Sequence, residues 1–186
     1  PKRRTKAAIA RERGLQPLAD LLIRQESIGT SRTQLLNQFV NVDLEVPTRD
    51  AALQGALAIV AEQWSEDATL RTWMLDDAFA SGKVTSNLKR GKKQEAEKFE
   101  LYFDHREAIG KIPSHRLLAM LRGESEGLLR IGIAMDDGRA VSRMKSQFLH
   151  DQRFEFHRDL LETIGDCYER LLLCCEEPEA RERWAP

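Results

Sequence analysis

Residues 112–127 read IPSHRLLAMLRGESEG, a run that places a helix start, a helix stop and the entry to a strand in one short stretch. Proline fits the first turn of a helix, so Pro113 or Ser114 is predicted to begin this helix, and Gly123 is predicted to end it. The side of the helix expected to face the core consists of Leu117, Leu118 and Leu121.

The same helix carries three candidate anion-binding residues. His115 and Arg122 are seven positions apart, which is two helical turns, so they share a face, and Arg116 lies beside them. The N-terminus of a helix favours an anion because its free N–H groups and its dipole are positive there. The anion could be a nucleic-acid phosphate or the carboxylate of a neighbouring helix, and the sequence leaves both open.

The residues that follow this helix have the period of a strand. Leu129, Ile131, Ile133 and Met135 alternate with smaller or polar residues. Asp137-Gly138 is a dipeptide typical of a hairpin turn, after which residues 139–141 would return as a partner strand. We therefore predict one small β-hairpin here.

Most of the remaining chain shows helical periodicity. The clearest helix covers residues 49–64, with Thr48 as its N-cap and Asp50 at the positive end of its dipole. A second helix at 66–80 follows closely, which favours a helical hairpin. Further helices are predicted within 7–25, at 94–103 and at 154–175, whereas 83–93 is expected to be an exposed polar segment. The predicted fold class is mainly α, with helical hairpins, a long amphipathic C-terminal helix and one small β-hairpin.

The formal net charge of −1 conceals two basic clusters, each of which would suit phosphate contacts. The first cluster is at the start of the chain and comprises Lys2, Arg3, Arg4 and Lys6. The second comprises Lys83, Lys89, Arg90, Lys92 and Lys93, with no acid among them, and its last four residues are the expected phosphate contacts. For each cluster the alternative is a solvated surface with no ligand. Nothing in the sequence would read base edges, so any nucleic-acid binding should be weakly sequence-specific.

The sequence lacks the residue patterns that catalysis, metal binding and cofactor binding require. The chain has neither a phosphate-cradling glycine loop nor a nucleophile elbow. His105 would be a possible general base, but no nucleophile or oxyanion site accompanies it. Cys167, Cys174 and Cys175 are too few and too clustered for a disulfide framework, and buried cysteines on a helix are expected instead. The sequence therefore predicts no enzyme activity, no bound metal and no cofactor.

Four segments resemble the Tex family of bacterial transcription accessory proteins, in the same order and with similar spacing. The first segment is residues 1–19, PKRRTKAAIARERGLQPLA, and the second is residues 50–62, DAALQGALAIVAE. The third is Glu66-Asp67-Ala68 with Leu70-Arg71. The fourth is Tyr102-Phe103-Asp104, followed by the stretch 112–127. The resemblance covers roughly residues 1–135 and thins from Asp136 onward.

The resemblance implies a part of a larger protein. Tex proteins are cytoplasmic and multidomain, with a helical N-terminal part, a ribonuclease-H-like domain, helix-hairpin-helix elements and a C-terminal RNA-binding barrel. This chain would be an interior piece of the helical part, without the strongest nucleic-acid-binding module. We expect a Tex-like helical region at 1–135, and a hairpin return with the C-terminal helix at 136–186.

The function predicted on this basis is nucleic-acid binding and scaffolding, without catalysis, in a transcription accessory factor. The expected partners are RNA or DNA, the remaining domains of the parent chain and the transcription machinery, and no membrane. The alternative is a protein–protein scaffold that holds neighbouring domains or an RNA polymerase partner. An exposed apolar patch with little salt-dependent binding would identify that alternative.

Overall fold

The computed structural model describes the backbone of residues 4–175 and the side chains of residues 4–171. This part of the chain is mainly helical and contains a three-stranded antiparallel sheet. The α-helices are α1 (Lys6–Glu12), α2 (Gln16–Arg24), α3 (Arg32–Asn37), α4 (Arg49–Ser65), α5 (Ala68–Ser81), α6 (Ser114–Ser125), α7 (Asp137–Phe148) and α8 (His157–Cys175). The strands are β1 (Lys83–Leu88), β2 (Asp104–Ala108) and β3 (Leu129–Ala134), and short 3-10 helices cover Val42–Leu44, Glu97–Tyr102 and Ile109–Lys111. No helix in the described range has the length and apolarity that a membrane span requires.

The chain forms two compact units, and unit 1 contains the described residues 4–68 and 141–170. Its central element is α4, whose start was predicted correctly: Thr48 Oγ1 accepts the N–H of Ala51 at 3.1 Å. Helices α1, α2 and α3 pack against α4. The buried side of α4 consists of Ala52, Leu53, Ala56, Leu57, Ile59, Val60, Ala61 and Trp64.

The later part of unit 1 is joined to α3 by Arg32. The Arg32 guanidinium donates to the two carboxylate oxygens of Asp159 at 2.5 and 2.9 Å. The same guanidinium lies 4.6 Å from the ring centre of Phe156, which is completely buried. Helix α8 buries Leu160, Ile164 and Cys167 in unit 1. The side chains of Cys174 and Cys175, which were predicted to be buried, lie outside the described residues.

Unit 2 contains the described residues 69–140 and 171–175, and it holds the sheet in the order β2-β1-β3. The central strand β1 pairs Ser86 with His105 on β2 and with Ile131 on β3. The inner face of the sheet packs against α6 and the 3-10 helix at Glu97–Tyr102. This core contains Val84, Ala96, Phe99, Ile109, Leu117, Met120, Leu128, Leu129 and Ile131. The domain division predicted at 135/136 stays a prediction.

The predicted β-hairpin is wrong, although its first strand forms as expected at Leu129–Ala134. Asp137-Gly138 lies in the first turn of α7 instead of a hairpin turn, because the Asp136 carboxylate accepts the N–H of Arg139 at 3.1 Å. The partner of β3 is β1, which lies more than forty residues earlier in the sequence. The segment 83–93, predicted to be an exposed polar segment, thus supplies the central strand of the sheet through its first six residues, Lys83–Leu88.

Helix α6 does not end at Gly123 but continues to Ser125. Gly123 is needed for close packing, since a Cβ atom there would lie 2.5 Å from Leu129 Cδ1. The chain leaves the helix at Gly127, whose φ of +74° lies in the left-handed region. Leu118, predicted to face the core, is 55% exposed, whereas Leu117 is buried as expected.

Candidate nucleic-acid interface

The basic cluster after β1 forms a tight turn, residues 89–93, which we call the basic turn. The N–H of Lys92 donates to the carbonyl of Lys89 at 3.1 Å, and Gly91 adopts a φ of +79° that favours glycine. The N–H of Lys89 donates to the carbonyl of Leu128 at 3.0 Å, beside the start of β3. The basic turn is therefore held at one end of the sheet.

Three of the four cations of the basic turn are available to a ligand. Lys89, Arg90 and Lys93 are exposed, and within the described residues none of them forms an ion pair. Lys92 differs, because its Nζ lies 2.8 Å from a carboxylate oxygen of Glu95. The structure thus separates Lys92, which is locally neutralised, from the other three predicted residues.

The first basic cluster has two described members, of which one is paired with a carboxylate and the other is not. Lys2 and Arg3 lie outside the described residues, and Arg4 pairs with Glu12 of α1. Lys6 begins α1 and is exposed, and it forms no ion pair within residues 4–171. The structure places Lys6 in unit 1 and the basic turn in unit 2.

Arg116 contacts a protein carboxylate, which is the alternative that the sequence left open. Its Nη1 donates to both carboxylate oxygens of Glu107 on β2, each at 2.9 Å. His105 Nε2 lies 3.0 Å from the same carboxylate. Hydrogen bonds from His105 and then Arg116 lower the pKa of Glu107 below its usual range. His115 and Arg122, by contrast, are exposed on α6.

We expect Arg116→Ala to reduce stability while leaving nucleic-acid affinity unchanged. A partly exposed ion pair contributes about 0.5–1 kcal/mol to the free energy of unfolding. The pKa of Glu107 is lowered by folding, so its contribution is present above the unfolded pKa and is lost as the pH falls through the folded pKa. Urea unfolding should therefore show a larger difference in the free energy of unfolding between wild type and variant near pH 7 than at about pH 3. An equal difference at both values would contradict this role.

The outer face of the sheet brings Lys83, a member of the second basic cluster, together with Arg106 and Arg130, which the sequence analysis did not single out. Directly opposite residues of paired strands share a face, and alternate residues point to opposite sides. Arg106 is opposite Thr85, Arg130 is opposite Asn87, and Lys83 belongs to the same outward-facing set of β1. Reading 83–88 and 104–108 as strands would have revealed this grouping, but their polar composition concealed both strands.

Among the described residues, no group of three or more His, Cys, Asp or Glu side chains could hold a metal ion. Burial raises the pKa of the Cys167 thiol to about 12, which disfavours its nucleophilic thiolate form. The His105–Glu107–Arg116 cluster connects α6 to β2.

The comparisons with known proteins agree with the resemblance seen in the sequence. The family model described as Tex central region-like matches residues 30–163. The transcriptional accessory protein Tex of Neisseria gonorrhoeae is 37% identical over 98% of this chain, and the protein YhgF of Escherichia coli K12 is 42% identical over 73% of it. An uncharacterized protein of Neisseria meningitidis serogroup B is 47% identical over 98% of the chain.

The matched region is only a part of each relative. The chain spans 24% of the Neisseria gonorrhoeae protein and 17% of the Escherichia coli protein, so it corresponds to about a quarter or less of these relatives. The family model, however, covers well over half of this chain. The chain therefore belongs to the Tex family, through a Tex central region-like domain.

Proposed function

We propose that this chain is a nucleic-acid-binding and scaffolding part of a transcription accessory factor. It contacts phosphates without reading the base sequence, and it carries out no catalysis. The relative named transcriptional accessory protein Tex supports the role in transcription. The observation that carries the binding proposal is the basic turn, in which Lys89, Arg90 and Lys93 are exposed together without a carboxylate partner in the described part of the chain.

The physical basis of this proposal is the exchange of counterions for protein cations. A nucleic acid releases condensed counterions when Lys and Arg side chains neutralise its phosphates, and this release gives affinity without sequence information. Like charges held near one another repel, so a phosphate placed among Lys89, Arg90 and Lys93 would also relieve their mutual repulsion. His115, Arg122 and Lys6 are secondary candidates, since each is exposed.

The proposed setting is the bacterial cytoplasm, as part of a longer chain. In the relatives, the matched region is only a part of the sequence, so the remaining domains of such a protein are the first expected partners. Stronger nucleic-acid contacts elsewhere in a parent chain would add to those of the basic turn through effective concentration.

The binding proposal is tested by fluorescence anisotropy of labelled RNA and DNA oligonucleotides, single- and double-stranded, titrated with the chain at several salt concentrations. We expect log Kd to rise linearly with log salt concentration, and the three single-strand phosphate contacts of the basic turn should contribute about 2 to the slope. Affinities for unrelated base sequences should agree closely. No binding at about 50 mM salt would contradict the proposal. Intact oligonucleotides after prolonged incubation with Mg²⁺ would support the absence of catalysis.

A protein–protein scaffold is the second candidate, because unit 1 exposes two apolar side chains on one short 3-10 helix. Val42 is 73% exposed and Leu44 is 43% exposed. If scaffolding is the function, the chain should bind purified RNA polymerase with little salt dependence. Val42→Ser with Leu44→Ser should then weaken that binding, while nucleic-acid binding remains absent.

A further inference from the structure

The outer face of the sheet, which we call the open face, lies next to the basic turn. Its three rows run across β2, β1 and β3, and each row consists of directly opposite residues. The rows are Asp104–Asn87–Arg130, then Arg106–Thr85–Gly132, then Ala108–Lys83–Ala134. The first row is the one nearest the basic turn, because the turn directly follows β1 and bonds to Leu128 just before β3.

The open face has an excess of positive charge. Lys83, Arg106 and Arg130 are exposed, and within the described residues they form no ion pair. Asp104 is the one acid among the nine positions of the three rows. Strands about 4.8 Å apart and alternate residues about 6.7 Å apart place the three cations within about 15 Å of one another. They therefore form one basic surface, although they come from three strands.

The surface differs from the inner face in having no apolar anchor. The centre of the open face is occupied by Thr85 and Gly132, and no aromatic side chain lies in its three rows. Protein partners usually bind through buried aromatic or aliphatic anchors, and single-stranded bases usually stack on aromatic rings. Neither a large apolar anchor nor an aromatic ring is present in the three rows. The exposed cations of this face instead suit a ligand that carries a chain of negative charges.

We propose that the open face binds the phosphate backbone of a single-stranded nucleic acid that continues from the basic turn. This inference rests on the proposed function and adds Lys83, Arg106 and Arg130 to the interface. A single strand is flexible enough to place successive phosphates on cations of three different strands. A duplex holds its phosphates on two rigid backbones, which would reach fewer of these cations on so small a face.

The test measures anisotropy of a labelled single-stranded oligonucleotide of about 20 nucleotides with the whole chain. Arg106→Gln with Arg130→Gln should weaken binding about thirtyfold at moderate salt and reduce the salt slope by about 1.4 for two lost contacts. The matched control is Arg24→Gln with Arg153→Gln, which removes two exposed arginines of unit 1. The control should bind as the wild type does, and an equal loss in both variants would overturn the proposal.

A second variant guards against loss through misfolding. Asp104→Asn removes the acid of the open face and should tighten binding about threefold, since it relieves repulsion of the phosphates at small cost to an exposed strand position. Unchanged or weaker binding would overturn the proposal. A poly-glutamate peptide provides a further test. If it binds as tightly as the oligonucleotide and the arginine variants weaken both equally, the occupant is an acidic protein segment and the proposal is overturned.

The results also separate this inference from the proposed function. If the wild type binds and neutralising the basic turn weakens binding, but the Arg106/Arg130 variant does not, then the open-face proposal fails and the proposed function stands. If the wild type shows no salt-dependent binding, both fail. Preferred binding of a duplex, with equal sensitivity to the open-face variants, would overturn the choice of a single strand.

Discussion

Neutralising the basic turn with Lys89→Gln, Arg90→Gln and Lys93→Gln is expected to weaken single-stranded nucleic-acid binding about a hundredfold, at about 1 kcal/mol for each lost phosphate contact. The three side chains are exposed and lack carboxylate partners in the described chain, so their removal breaks no internal ion pair. Anisotropy titrations at several salt concentrations measure both the loss of affinity and a fall in the salt slope of about 2.

The control for this variant removes the same charge from unit 1. Arg24, Lys145 and Arg153 are exposed and form no ion pair among the described residues, so Gln at all three positions should leave affinity nearly unchanged. A loss equal to that of the turn variant would mean that binding responds to net charge alone. Lys92→Gln alone should have a smaller effect than Arg90→Gln, because Lys92 is already paired with Glu95.

Phe156→Ala is expected to lower the free energy of unfolding by about 3–5 kcal/mol, the usual cost of truncating a buried phenylalanine. Phe156 is completely buried and packs beside Phe154, with ring centres 5.7 Å apart. Its ring also supports the Arg32 guanidinium that pairs with Asp159, so the truncation removes a cation–π contact as well as apolar burial. Urea unfolding followed by circular dichroism measures the loss.

A phenylalanine in a different environment provides the comparison. Phe79 is 45% exposed, so Phe79→Ala should cost less than about 1.5 kcal/mol. A similar cost for both substitutions would contradict the assignment of Phe156 to the core of unit 1. Because natural domains are stable by only about 5–15 kcal/mol, the Phe156→Ala protein should also be visibly more sensitive to proteolysis.

Local signals in the sequence were sufficient for several elements. Thr48 and Asp50 marked the start of α4, and the apolar spacing that follows predicted its length to within one residue. The alternation from Leu129 predicted the strand that became β3. These elements were predictable because the residues that determine them are neighbours in the chain, and their patterns match the burial that the fold imposes.

The central strand β1 and the edge strand β2 could not be predicted in this way. Ser86 is completely buried in β1, although the segment 83–93 was predicted to be exposed, and its hydroxyl donates to the carbonyl of Tyr102 at 2.7 Å. Residues of β2 are largely charged, and the His105–Glu107 pair is stabilised by Arg116 from α6. These strands depend on contacts between residues far apart in sequence, which a local pattern does not contain.

The candidate interface could be predicted only in part, because some of its residues come together through contacts that are distant in sequence. The basic turn was visible as a run of cations, and the structure distinguishes Lys92 within it by its bond to Glu95. The role of Arg116 required knowledge that β2 lies beside α6, so the sequence left its partner open. Lys83, Arg106 and Arg130 come together only through the register of three strands, and no spacing along the chain indicates it.

The most direct measurement of the central claim is a ¹H–¹⁵N correlation spectrum of the labelled chain, titrated with an unlabelled single-stranded oligonucleotide. The account predicts that the amides of residues 89–93 shift first and furthest, followed by those of the open face around Arg106 and Arg130, and that added salt reverses the shifts. If saturating oligonucleotide leaves the amide resonances of residues 89–93 unchanged and shifts those of another surface, the result contradicts the account.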